Sequence, residues 1–164
     1  VNNLIEKAKK LRTEQQGDQA LEILISALHE YPKDAEINYQ IGWTYDASER
    51  SDQAILYYQK ALEYGLAEDR VGCLLGLGSS LRAIGEYEQS RVILETAVRD
   101  FPQNLALKSF LSLTLYNLGK HEEATSLLIK LLGQTTVDPE IKAYQSALEY
   151  YADNLNETLS STVT

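Results

Sequence analysis

Residues Val71–Pro102 read VGCLLGLGSSLRAIGEYEQSRVILETAVRDFP. Leu74, Leu77, Gly78 and Leu81 recur at three- and four-residue steps, so they share one helix face. Gly78 has no side chain and predicts close approach by a neighbouring helix. Gly85 predicts the helix stop, because glycine tolerates the left-handed conformation a stop requires. A second amphipathic run follows, carrying Tyr87, Leu94, Ala97 and Val98, and Pro102 closes it.

The same pattern recurs along the chain. Ala20, Ala54, Ser90 and Ala124 are separated by 34, 36 and 34 residues. Ala27, Ala61, Ala97 and Leu131 keep that spacing, as do Leu24, Tyr58, Leu94 and Leu128, and Leu11, Tyr45, Leu81 and Leu115. The wider interval comes from a longer connection around Gly65-Leu66-Ala67. Small residues suit points where two helices cross, and large ones fill the seam between them. A helix–turn–helix unit of about 34 residues with these columns resembles the tetratricopeptide repeat. The resemblance implies an all-α fold, a right-handed α-α superhelix, and a binding scaffold.

Four repeats are expected at about 1–34, 35–70, 71–104 and 105–138, then a final helix at 139–155, all in one domain spanning 1–155. Asn3 with Glu6 reads as a helix start, with Leu4, Ala8 and Leu11 on the inner face and Gly17 as the break. Asp34 and Ser51 read as caps. Glu49 occupies the slot that Gly85 fills in the third repeat, so the second turn is expected to be degenerate. Gly119 is the fourth turn. Asp138-Pro139 opens the final helix with a cap residue and a proline at the first helical position. That helix would cover the open end of the solenoid. Ile141, Tyr144, Leu148, Tyr151 and Leu155 gather on one face, extended by Ala143, Ala147 and Tyr150. The excess apolar width marks Tyr150 and Tyr151 as a possible homodimer contact. The Ser/Thr-rich segment 156–164 lacks periodicity and is expected to fray.

The formal charge is −9, which argues against nucleic-acid partners and anionic membrane surfaces. No apolar run approaches the roughly 20 residues of a membrane span. No secretory signal precedes the repeats, and Cys73 is the single cysteine, so a cytoplasmic setting is expected. The chain starts at Val1 and has no methionine, which leaves room for an upstream region. We expect no catalytic, cofactor-binding or metal-binding residues. His29 and His121 lie in no ligand-spaced motif. Cys73 has no histidine near it in sequence. Gly72, Gly76 and Gly78 lie inside a helical pattern and spell no phosphate loop, and Lys7, Lys9, Lys10 and Arg12 read as a solvated helix face. Asn156-Glu157-Thr158 matches a glycosylation acceptor that has no use without secretion.

The resemblance further implies that the first helices of successive repeats line a concave groove. By register, the groove presents Tyr39, Trp43 and Asp46 from repeat two, Leu75, Ser79 and Arg82 from repeat three, and Ser109, Leu113, Tyr116 and Asn117 from repeat four. Trp43 stands one position beyond Gly42, and Asn38 holds the slot where the family usually buries a tryptophan. One subclass clamps a C-terminal carboxylate with groove lysines and asparagines. The matching positions here are Ile5, Lys9, Gly72 and Gly76, so that clamp is mostly missing and chaperone-tail binding is not expected. The expected function is a non-catalytic scaffold that binds a protein or peptide. The alternatives are a self-associating structural homodimer, or the repeat domain of a longer regulator or enzyme with its effector region upstream.

Overall fold

A computed structural model of the chain describes residues 1–158, and among these the regular elements are ten helices with no strand. Helices α1 (Asn2–Thr13), α2 (Gly17–Glu30), α3 (Ala35–Ala47), α4 (Ser51–Glu63), α5 (Arg70–Ala83) and α6 (Tyr87–Asp100) belong to one compact unit, Val1–Pro102. Helices α7 (Leu105–Asn117), α8 (His121–Thr135), α9 (Pro139–Ala143) and α10 (Gln145–Asp153) belong to a second that starts at Gln103. No helix among the described residues is long and apolar enough to cross a membrane.

The periodic columns become the core. Ala20, Ala54 and Ser90 are fully buried, as are Ala61 and Ala97. Where the sequence places glycine inside a helix, a neighbouring side chain fills the space a Cβ would take. A Cβ added at Gly78 would lie 2.6 Å from Leu94 Cγ, and the Ser90 hydroxyl donates to the Gly78 carbonyl at 2.7 Å. The Tyr58 ring lies against two such gaps. A Cβ at Gly42 would fall 2.9 Å from its Cδ1, and one at Gly76 would fall 2.5 Å from its Cζ. Tyr58 thereby touches both α3 and α5 and ties repeat two to repeat three.

All four intra-repeat turns share one geometry. Gln15, Glu49, Gly85 and Gly119 occupy the same slot, with φ of 60°, 59°, 87° and 75°. In each, the following amide donates back across the turn: Gln16 to Leu11, Arg50 to Tyr45, Glu86 to Leu81 and Lys120 to Leu115. The second turn is therefore not degenerate, because Glu49 adopts the left-handed conformation at a cost that glycine avoids. Gly17 is the first residue of α2, and the break lies at Gln15.

The structure corrects several sequence expectations at helix ends. Asn3 does not cap α1, which starts at Asn2 with no side-chain cap. Ser51 does not cap α4 either. Its hydroxyl turns to Asp46 Oδ1 at 2.9 Å. Asp34 and Asp138 do cap, accepting from Ile37 N at 2.9 Å and from Glu140 N and Ile141 N. The last helix is two pieces, because the chain breaks at Tyr144 (φ −102°, ψ 9°). The break changes which face packs. α10 lies on α8 with Ala152 buried and Leu148 half-buried, while Tyr144 and Tyr151 stand outside. Leu128 on α8 is exposed, unlike its column partners Leu24, Tyr58 and Leu94. Residues 156–158 follow α10 without helix, and 159–164 of the expected frayed tail lie outside the described residues.

Candidate functional site

In the first unit, α1 packs on α3 and α3 on α5, so the first helices of three repeats lie side by side. Each second helix packs on first helices: α2 on α1 and α3, α4 on α3 and α5, α6 on α5. The surface left over is the outer face of the first-helix layer. Trp43 lies on it and is 41% exposed. The Arg12 guanidinium stacks on the indole, with Cζ 3.9 Å from the ring centroid. Arg12 Nη1 donates to Gln40 Oε1 at 3.0 Å and to Thr44 Oγ1 at 3.3 Å. Gln40 and Thr44 are themselves buried. Thr44 Oγ1 donates to the Gln40 carbonyl at 2.7 Å, and Gln40 Nε2 donates to Glu36 Oε1 at 2.8 Å. The guanidinium is thus fixed on one side by neutral oxygens and on its flat face by Trp43. Burial lowers the Arg12 pKa, opposed by Tyr39, Tyr58 and Glu36.

The other expected groove residues divide into structural and accessible ones. Tyr39 is only 3% exposed. Its ring lies 5.8 Å from that of Trp43, and its hydroxyl donates to the Asp69 carboxylate. Burial first, then that bond, push its pKa up. Tyr39 therefore supplies the floor beneath Trp43 and no open surface. Asp46 accepts from Ser51 Oγ and Ser80 Oγ, both at 2.9 Å, and so links two repeats. Leu75, Ser79 and Arg82 are half-buried on α5. In the second unit, Leu113 and Tyr116 are 44% and 63% exposed on α7 beside exposed Asn117. Ser109 is half-buried and its hydroxyl donates to the Leu105 carbonyl. Tyr116 lies 4.9 Å from the His121 ring.

A family model described as Tetratrico peptide repeat matches residues 35–155, most of the chain. The chain belongs to the tetratricopeptide repeat family. Tetratricopeptide repeats are, in general, scaffolds for protein–protein interaction. A search of curated proteins finds no match.

Within this tetratricopeptide fold, sequence reasoning missed Arg12. It sits in a run of lysines and reads as part of a solvated face. The signal lay in the repeat columns, because Arg12 shares its position with Asp46, Arg82 and Tyr116. Of that basic run, Arg12 alone stacks on an aromatic ring among the described residues. Tyr150, expected at a dimer contact, has its hydroxyl donated to Glu157 Oε2 at 2.8 Å, which raises its pKa. Tyr151 packs edge-on against it, with ring centroids 5.5 Å apart.

Proposed function

We propose that this chain is a non-catalytic interaction module that takes up an extended or helical peptide along the first-helix face of repeats one to three. The observation that carries this reading is Trp43, a large aromatic left 41% exposed on that face with its ring held between Tyr39 and Arg12. An aromatic that is already immobilised loses little further entropy on binding, which is why such residues dominate interface energetics. Leu75, Ser79 and Arg82 continue the same face on α5. Ser109, Leu113, Tyr116 and Asn117 offer a separate accessible strip on the second unit. The net charge of −9 supports protein partners over nucleic acid, and a single cysteine without an intrachain partner suits a cytoplasmic setting. Trp43 is the single tryptophan, so its emission reports the site directly. Peptides that shift this emission should lose at least roughly tenfold in affinity on Trp43→Ala. Undiminished binding to Trp43→Ala would refute the groove.

A homodimer is the second reading. It is favoured by the cleft of Leu132, Glu140, Ile141, Tyr144 and Leu148. Tyr144 and Tyr151 are 68% and 60% exposed. Light scattering over a concentration series tests it. A dimer disrupted by Tyr144→Glu or Tyr151→Glu supports this reading, and a monomer at high concentration ends it.

A further inference from the structure

We propose that Arg12 and Trp43 together form a subsite for one acidic side chain, Asp or Glu, inside the bound peptide. The inference rests on the groove reading above and names the chemistry of its partner. Guanidinium has five N–H donors, and they meet a carboxylate best as two parallel bonds from one edge. In Arg12 the Nη1 group is spent on Gln40 and Thr44. Among the described residues, Nε and Nη2 bond no protein group, and neither is a buried unsatisfied atom. The Nε–Nη2 edge therefore meets solvent along the open face, with the geometry a carboxylate needs.

No direct ion pair occupies that edge among the described residues. No carboxylate among the described residues lies within 4.0 Å of the Arg12 guanidinium, whereas Arg50 pairs with Asp18 and Arg91 with Glu88 and Glu95. Glu36 reaches Arg12 only through the intervening Gln40 amide. The Asp46 carboxylate, which shares the repeat position of Arg12, already takes two hydroxyls. Lys9 pairs with Glu6 on its own helix. The Arg12 guanidinium is a cation without an ion pair among the described residues, on a chain whose overall charge is −9. Screening confines the attraction to about 10 Å, so the local sign decides which residue docks there. Half-burial against the indole and the Gln40 amide strengthens a pair formed at that edge over one formed in open water.

A chain terminus carries the same carboxylate, and the panel below separates the two sources. The test uses a panel of short, end-blocked peptides with varied apolar flanks around a central Glu, each made again with Gln and a third time with Gln and a free C-terminal carboxylate. Binding is read in every variant, Trp43→Ala included, by the anisotropy of a dye carried on the peptide, with Trp43 emission as a second readout where the tryptophan is present. The expected result is a preference for Glu over Gln of roughly tenfold or more in the parent chain. That preference should weaken with added salt, fall in Arg12→Lys and vanish in Arg12→Gln. Thermal melts of both variants verify that they are folded.

Equal binding of Glu and Gln members, or a preference that survives Arg12→Gln, overturns the subsite. In those cases sensitivity to Trp43→Ala still upholds the groove. Binding that needs a free C-terminus instead of the Glu side chain also overturns the assignment. If no member of the panel binds, groove and subsite fall together.

Discussion

The Tyr39 hydroxyl donates to the Asp69 carboxylate, joining α3 of the second repeat to the start of α5 in the third. Asp69 has a left-handed backbone (φ 50°), and its other oxygen accepts from Gly72 N at 3.2 Å, capping α5. A Cβ at Gly72 would fall 2.5 Å from Tyr39 Oη, so the missing side chain at Gly72 is what lets the hydroxyl reach. Tyr39→Phe should cost about 1–2 kcal/mol near neutral pH, because the exposed Asp69 can be rehydrated but the inter-repeat bond is lost. The parent chain should also weaken in alkali. The folded pKa of Tyr39 is raised above an unfolded value of about 10, so its contribution is full below that pH and drains away as pH rises further. Tyr58 shifts the same way, chiefly through burial. Urea midpoints from about pH 9 to 11 should fall less steeply in Tyr39→Phe than in the parent. Equal slopes would show that Tyr39 does not retain its proton on folding.

Gln15 and Glu49 perform a glycine's task. Both have φ near +60° and exposed side chains. A left-handed conformation costs an ordinary residue about 1–2 kcal/mol, partly offset by the extra chain entropy glycine loses on folding. Gln15→Gly and Glu49→Gly should each stabilise the first unit by about 0.5–1 kcal/mol in thermal or urea unfolding. Gly85→Ala should do the reverse by about 1 kcal/mol, although no atom lies within 4 Å of the added methyl. Destabilisation by Glu49→Gly would mean that the glutamate side chain contributes something its exposure does not reveal.

The repeat columns were legible because crossing helices impose a size rule that composition obeys. Ala20, Ala54, Ser90 and Ala97 are all fully buried where the spacing places them. Turn geometry at Gln15 and Glu49 was not legible, because the residue type contradicts the backbone it adopts and only the register gives it away. The break at Tyr144 was hidden for a different reason. An apolar face at helical spacing continues on paper across a residue whose backbone has left the helix. The groove was half legible. Register placed Trp43 on the open face, where it is exposed, but it also nominated Tyr39, which is buried and whose hydroxyl finds an acceptor thirty positions away. Arg12 was obscured by its lysine neighbours, since sequence shows charge but not which cation meets an aromatic ring.

Cys73 should be chemically silent in the native protein. It is 0% exposed, its thiol points to the Tyr58 carbonyl at 3.5 Å, and burial foremost pushes its pKa up to about 12. The thiolate is the reactive form, and its population at pH 8 is negligible with such a pKa. A disulfide-exchange reagent should therefore detect no thiol in native buffer and one per chain in denaturant. Rapid native labelling would show that the α4–α5 contact opens, and would reopen the question of a nucleophilic role.

Asn38 buries a polar acceptor at a cost, and replacing it should help. It is 0% exposed and occupies the slot where the family usually packs a tryptophan. Its Nδ2 donates to the Asp34 carbonyl at 2.7 Å, but among the described residues its Oδ1 accepts from nothing. A buried acceptor without a partner costs about 1–3 kcal/mol. Leucine branches at the same carbon and carries no polar atom. The Asp34 carbonyl keeps a donor in that variant, since the Asn38 backbone amide also reaches it at 3.2 Å. Asn38→Leu should raise stability by about 1 kcal/mol, after some loss to the larger volume of leucine. Asn38→Asp has nearly the same shape but would bury a charge, so it should destabilise by more than that. Urea denaturation of the three proteins side by side gives the answer. A destabilised Asn38→Leu would mean that Oδ1 is satisfied in solution, with a buried water as its first candidate partner.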